Sequence, residues 1–162
     1  MKRTLALVLL LLFAPPVWSD EARDPLLKPG DVMIPQSMRS RNVGGNCVWA
    51  AFQAVFVNAG YPPVEGVFKR AVAEGFHGSD IGAVVAFCKK TNIPVTHQSS
   101  GGPKILYDAV ANGTGAYIQR PGHASVVVGI DAESVRIIDN NPPRSVQVWP
   151  RARFDDRWTG AA

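Results

Sequence analysis

The sequence predicts an α+β protein in which helices precede a block of antiparallel strands. The run from Cys47 to Asn58 is apolar on nearly every face, as in a buried helix, and an apolar stripe at helical spacing follows Asp80. After Gly115 the pattern changes to short segments separated by turns, which is typical of strands. We therefore expect the Cys47 helix to pack centrally against a C-terminal antiparallel sheet.

The elements can be assigned in order along the chain. Asn46 is a suitable N-cap for the first helix, and Gly60 a suitable stop. Helices are predicted at Cys47–Asn58, from after Pro63 to Glu74, from Ser79 to Thr91, and at Pro103–Ala111. Strands are predicted at Ile93–His97, Gly115–Gln119, Ala124–Ile130, Ser134–Asp139 and Ser145–Trp149.

Length and composition exclude several protein classes. The chain has 162 residues, 46% of them hydrophobic and 19% charged, which argues against disorder, collagen and coiled coil. This length suits one domain over residues 20–162, since it can bury a core without metal or disulfide support. Residues 20–43 are polar and interrupted by prolines, so they predict an extended lead-in.

Residues 1–19 predict a cleavable secretory signal. A basic start precedes the apolar run from Leu5 to Ala14, and Val17 and Ser19 suit signal-peptidase cleavage. Ten apolar residues are too few to span a bilayer, so we expect an exported protein, periplasmic or secreted, with no stable membrane insertion. Removing the signal leaves 15 basic and 13 acidic residues, a net charge of +2. That balance argues against a nucleic-acid partner.

Cys47 is the first candidate for chemistry. If it begins a helix, its sulfur lies in the first turn, where unsatisfied N–H groups and the helix dipole stabilise a thiolate. Gly44 and Gly45 leave space beside it. The alternative is a buried structural cysteine, which is how we interpret Cys88 on the apolar stripe of the third helix. A disulfide is possible in an exported chain, but we expect both thiols to be free.

His123 is the second candidate, because it begins a predicted strand directly after a Pro-Gly turn. A short connection joins this strand to the next one, and the hairpin brings Asp139, Asn140 or Asn141 opposite His123, depending on the register. Directly opposed residues have Cβ atoms about 4.5–5.5 Å apart. Any of the three can therefore accept a hydrogen bond from one imidazole nitrogen and leave the other to take a proton from a thiol.

The segments GGNCVWAAF and PGHASVVVGID…VRIIDNN resemble the two active-site blocks of papain-like cysteine peptidases. In that superfamily a catalytic cysteine begins a central helix, often with a tryptophan close behind, as Trp49 is here. A histidine begins a strand, and an Asn or Asp ends the next. The 76-residue gap from Cys47 to His123 and the segment ILYDAVANGTGAYIQ are similar to the compact bacteriocin-processing (double-glycine) peptidases. The resemblance covers most of residues 46–141.

The resemblance implies a papain-like fold and a secreted cysteine peptidase that cleaves peptide or isopeptide bonds in a peptide or protein substrate. It implies that Cys47 is the nucleophile and His123 the general base and acid. Asp139 matches the third catalytic position best, and Asn140 is the fallback. No cofactor is expected, since the chain has no phosphate loop, dinucleotide fingerprint or serine elbow.

The sequence departs from the family at the oxyanion site. The family has a glutamine about six residues before the cysteine, and Arg41 stands at that position. Asn42 is the candidate donor in its place, and Gln36 is a more distant one. His77 and His97 lack the spacing of metal ligands, so no metal site is expected.

Two other functional classes fit parts of this pattern. A cell-wall amidase of the CHAP type also pairs an early cysteine helix with a Gly-His strand, and export would suit it. The long helical segment between Cys47 and His123 favours the peptidase. The third class is a binding module that has kept the fold without activity, which the missing glutamine makes credible.

Overall fold

A four-stranded antiparallel sheet forms the centre of the structure, with its strands adjacent in chain order. The computed structural model describes residues 23–42, 46–59, 67–76, 81–98, 100–158, 160 and 162. The strands are β1 (Ala116–Arg120), β2 (His123–Ile130), β3 (Ser134–Ile138) and β4 (Val146–Pro150). Each lies within one residue of its predicted bounds, because short polar turns separate these segments clearly.

Helices lie on both faces of this sheet. They are α1 (Cys47–Asn58), α2 (Val67–Ala73), α3 (Ile81–Lys90), α4 (Lys104–Ala111) and α5 (Arg151–Arg157), with a 3-10 turn at Gln36–Met38. The class is therefore α+β, as the sequence predicts, and α1 has its predicted bounds. Among the described residues no helix is both long enough and apolar enough to cross a membrane.

The alternation of side chains along the strands divides the core into two layers. On one face α1 packs against Val126 and Val128 of β2, and buried side chains of α2 and α3 join the same layer. On the other face Leu106 of α4 and Phe154 of α5 cover Val127 and its neighbours. Because β2 is buried on both faces, it reads as a continuous apolar strand after its first residue.

The predicted strand at Ile93–His97 is wrong. This segment is mostly exposed coil, because the Ile93 N–H donates to the Cys88 carbonyl (2.9 Å) and so extends the end of α3. Pro94 has no N–H to offer a neighbouring strand. The backbone next pairs at Gln98, whose N–H donates to the Ala162 carbonyl (2.8 Å) and whose carbonyl accepts the Ala162 N–H (3.0 Å).

The sequence analysis did not predict α5. Its only buried side chain is Phe154, it has no acidic residue in its first turn, and its N-cap position holds Pro150 without a side-chain hydrogen bond. It therefore lacks the usual signals of a helix start. The predicted signal at 1–19, the Gly60 stop and the predicted starts of the second and third helices lie outside the described residues.

The predicted lead-in is part of the core. Leu27, Val32 and Ile34 are buried in the layer that contains α1. The Val32 N–H donates to the Val128 carbonyl of β2 (2.7 Å), so the segment is also bound to the sheet through its backbone. The described part of the lead-in is therefore a structural component of the fold.

A buried ion pair joins the lead-in to the β2–β3 hairpin. The Arg136 guanidinium donates to both carboxylate oxygens of Asp31 (2.7 and 2.8 Å), and the two side chains are 3% and 4% exposed. Gly129 lies opposite Arg136 where the β2–β3 register shifts, and a Cβ at Gly129 would overlap the Asp31 carboxylate. The bulge therefore makes the space in which the pair is buried.

We expect Arg136→Met to lower the free energy of unfolding by about 3–5 kcal/mol, because it leaves the Asp31 carboxylate buried without its partner. Urea denaturation measures this loss. Lys104→Met is the control, since the Lys104–Asp108 pair is 85% and 54% exposed and should contribute less than about 0.5 kcal/mol. Equal losses in the two variants would contradict the prediction.

Candidate active site

Cys47 is the first residue of α1 and is half-buried. Asn46 occupies the N-cap position, as predicted, but its side chain makes no capping hydrogen bond. The first helical bond runs from the Ala50 N–H to the Asn46 carbonyl (3.0 Å), so the Cys47 N–H precedes the helical ladder. The thiol is free, as is that of Cys88.

His123 and Asp139 form a hydrogen bond at the end of the sheet. His123 Nε2 lies 3.0 Å from Asp139 Oδ1, and the side chains are 18% and 16% exposed. The same carboxylate oxygen accepts the Asn141 N–H (2.9 Å). With Asp139 ionised, Nε2 carries the proton and donates it, which leaves Nδ1 as the basic nitrogen.

Asp139 is a diagonal neighbour of His123, not its direct opposite. The β2–β3 ladder ends at Val126↔Ile138, and continuing that register would bring Asn141 level with His123. The bulge between Val127 and Gly129 shifts the register by one, which the count back from the turn did not include. The imidazole and carboxylate still meet because diagonal neighbours on one face lie within side-chain reach.

Asn140, the fallback for the third position, contacts α1 instead of His123. Its Nδ2 donates to the Cys47 carbonyl (2.8 Å) and to the Ala124 carbonyl (3.1 Å), and the residue is 4% exposed. Ala124 directly follows His123, so this one amide joins the start of α1 to the start of β2. The sequence analysis missed this role.

The thiol and the imidazole lie at the same end of the sheet without a direct hydrogen bond between them in the described part of the chain. The imidazole Nδ1 likewise has no hydrogen-bond partner among the described residues. Hydrogen bonds between catalytic groups are often long before substrate binds and shorten in the complex. The arrangement therefore has a held imidazole and, at the same end of the sheet, a helix-terminal thiol whose helix start is joined to β2 through Asn140.

The oxyanion candidates differ in their surroundings. The Asn42 N–H donates to the Asn140 carbonyl (2.8 Å), and its side-chain amide donates to Asn141 Oδ1 (2.9 Å). The Gln36 side-chain amide donates to the Pro143 carbonyl (2.9 Å), a contact between the lead-in and the segment after β3. Arg41, at the family's glutamine position, is exposed. The backbone N–H of Cys47 is therefore the donor best placed beside the thiol.

Arg120 is a further residue of the site that the sequence analysis missed. It is the direct cross-strand partner of His123, and its Nη2 lies 3.8 Å from Asp139 Oδ2. The signal was the tetrapeptide Arg-Pro-Gly-His, since a two-residue turn places the residues on either side opposite each other. Gly122 has φ +72°, a conformation that favours glycine at this turn.

The other described histidine, His97, is not part of this arrangement. His97 is exposed and lines an apolar cavity of about 480 Å³ between α1, α3 and α4, while His77 lies outside the described residues. In the part of the chain that the structure describes, no three His, Cys, Asp or Glu side chains form a cluster that could hold a metal ion.

Cys88 is fully buried in α3, and burial raises the pKa of its thiol to about 11. The reactive thiolate is therefore scarce until the pH approaches that value.

We expect iodoacetamide near neutral pH to modify Cys47 in the native protein and spare Cys88. After denaturation without reductant, both cysteines should be labelled. Peptide mass spectrometry measures both sites. Native labelling of Cys88 as fast as Cys47 would contradict the prediction.

No protein-family model matches this chain, and the curated proteins and solved structures gave no match either.

Proposed function

We propose that the protein is a secreted, papain-like thiol hydrolase that cleaves peptide or isopeptide bonds. Cys47 is the nucleophile, His123 the general base and acid, and Asp139 the group that orients the imidazole. The proposal is carried by the 3.0 Å hydrogen bond between His123 Nε2 and Asp139 Oδ1, at the end of the sheet where Asn140 joins β2 to the helix start that bears the thiol. A papain-like fold is part of the proposal and is supported by this helix-to-strand arrangement.

The first step is acylation of the thiol. His123 Nδ1 takes the Cys47 proton, and the thiolate attacks the carbonyl carbon of the substrate. Positive charge then develops on an imidazole whose other nitrogen is held by a carboxylate, which stabilises that charge. The Cys47 N–H, at the positive end of α1, faces the developing oxyanion.

The second half of the reaction restores the enzyme. The C–N bond breaks as His123 donates its proton to the leaving amine, and a thioester on Cys47 remains. His123 then removes a proton from water, which attacks the thioester carbonyl. The carboxylic acid leaves, and the thiolate takes back the proton from the imidazolium.

We expect Cys47→Ala and His123→Ala each to lower kcat by about 10⁴-fold or more, with the double variant no worse than either. Asp139→Ala should cost less, because water or a neighbouring amide replaces part of an orienting contact. The measurement is turnover of casein-derived peptides and, in parallel, of peptidoglycan. Cys88→Ala and His97→Ala are matched controls, and circular dichroism checks the fold of each variant.

The outcomes separate the functional classes. Peptide hydrolysis alone favours the peptidase, and peptidoglycan hydrolysis alone favours the CHAP-type amidase. Hydrolysis of neither substrate favours a binding module. Full turnover in Cys47→Ala on a substrate that the protein cleaves would overturn the mechanism. Loss of turnover in Asn140→Ala with Asp139→Ala unaffected would reassign the orienting role.

The export signal belongs to this proposal. If residues 1–19 are removed by signal peptidase, the mature chain begins near Asp20. N-terminal sequencing of secreted or periplasmic protein tests this, and a membrane-bound form that retains Met1 would count against it.

A further inference from the structure

The side chain of Arg120 is 11% exposed beside the His123–Asp139 pair. Nη2 donates to Ser125 Oγ (2.7 Å), and the guanidinium lies over the Trp149 ring, 4.6 Å from its centroid. Nε is buried without a hydrogen-bond partner among the described residues. A charge that is largely withdrawn from water and incompletely hydrogen-bonded is costly, and an anion at the exposed part of the guanidinium would lower that cost.

Arg153 of α5 lies against the same indole ring, 4.4 Å from its centroid. Arg157 is one helical turn further along α5, and like charges at this spacing repel each other. Arg153 also lies in the first turn of α5, where the helix dipole disfavours a cation. Arg153 and Arg157 are both exposed, and neither forms an ion pair with any described residue, so their guanidinium groups are open to an anion from solution.

The three guanidinium groups also act on one another. Burial lowers the pKa of Arg120, and the charges of Arg157 and Arg153 lower it further. The negative charges of Asp139 and of the Cys47 thiolate oppose that shift, so the thiol is within electrostatic range of the cluster. Asp139 is already bonded to His123, and it is the one carboxylate within 4 Å of these arginines in the described residues.

We propose that Arg120, Arg153 and Arg157 form a binding site for a substrate carboxylate beside the scissile bond. This inference rests on the proposed thiol hydrolase and names its substrate class: peptides that carry a free carboxylate close to the bond that is cleaved. The carboxylate is either the C-terminus of the peptide or an acidic side chain. Trp149 contacts the guanidinium groups of Arg120 and Arg153 by cation–π interaction, and Arg157 follows Arg153 on α5.

The test compares how fast Cys47 reacts with anionic iodoacetate and with neutral iodoacetamide. The ratio of the two rates cancels the nucleophilicity of the thiolate and reports the local charge. We expect the ratio at Cys47 to exceed that of a small neutral thiol by about tenfold. Arg153→Gln and Arg157→Gln should each lower it by roughly twofold to fivefold, while Arg70→Gln, a matched control on α2, should not change it.

Protection experiments distinguish the two sources of the carboxylate. N-acetyl-Ala-Ala with a free C-terminus, its amide, and N-acetyl-Glu amide compete with iodoacetamide for Cys47. If N-acetyl-Ala-Ala protects Cys47 and its amide does not, the site binds a C-terminal carboxylate. If N-acetyl-Glu amide protects Cys47, the site binds an acidic side chain. Either result should weaken in Arg153→Gln.

A rate ratio equal to that of the small thiol, or a Cys47 closed to both reagents, overturns the inference. So does a ratio that the Arg153 and Arg157 variants leave unchanged. These outcomes are separate from failure of the proposed function, which is full turnover in Cys47→Ala. A hydrolase that depends on Cys47 but shows no charge preference would keep its mechanism and lose this substrate class.

Discussion

The two hydrogen bonds donated by the Asn140 amide hold the start of α1, which bears Cys47, against the start of β2, which bears His123. They join the carbonyl of Cys47 on α1 to the carbonyl of Ala124 on β2, and the Asn42 N–H binds the Asn140 carbonyl from the other side. An ionised aspartate at this position has no N–H to donate, and an alanine would remove both bonds. A hydrogen bond contributes about 0.5–1.5 kcal/mol net, and without these two the amide would no longer hold the start of α1 against β2.

Asp139 and Asn140 serve opposite faces of the sheet because successive side chains alternate. Ile137 and Ile138 belong to different core layers, and the next two residues continue that alternation. Asp139 therefore contacts the imidazole, while Asn140 contacts α1. The two residues therefore do not compete for one position. Asp139 binds the imidazole, and Asn140 holds α1 against β2.

The bounds of α1 and of the four strands could be predicted because local periodicity encodes them. Hairpin geometry limited the partner of His123 to Asp139, Asn140 or Asn141, and the family resemblance favoured Asp139. The bulge at Val127–Gly129 makes the contact with Asp139 diagonal instead of direct. The bulge makes room for a buried ion pair with Asp31, almost a hundred residues away in the chain, and no local pattern reveals this contact. The cation cluster was equally hidden, because Arg153 lies in a helix without start signals and reaches Arg120 only through Trp149.

The Asp31–Arg136 pair has a consequence for how the chain can be processed. Val32 and Ile34 follow Asp31 into the core, so a cut between Asp31 and α1 would separate a buried carboxylate from the domain that carries its arginine. Release of that fragment would remove Asp31, the more buried of the two carboxylates that pair with Arg136, and would leave only Asp131 as its counter-ion among the described residues. A protease that trims the N-terminus of the folded protein is therefore limited to the residues before Leu27. The stretch from Leu27 to Ile34 is therefore an integral part of the folded unit and not a removable extension ahead of Cys47.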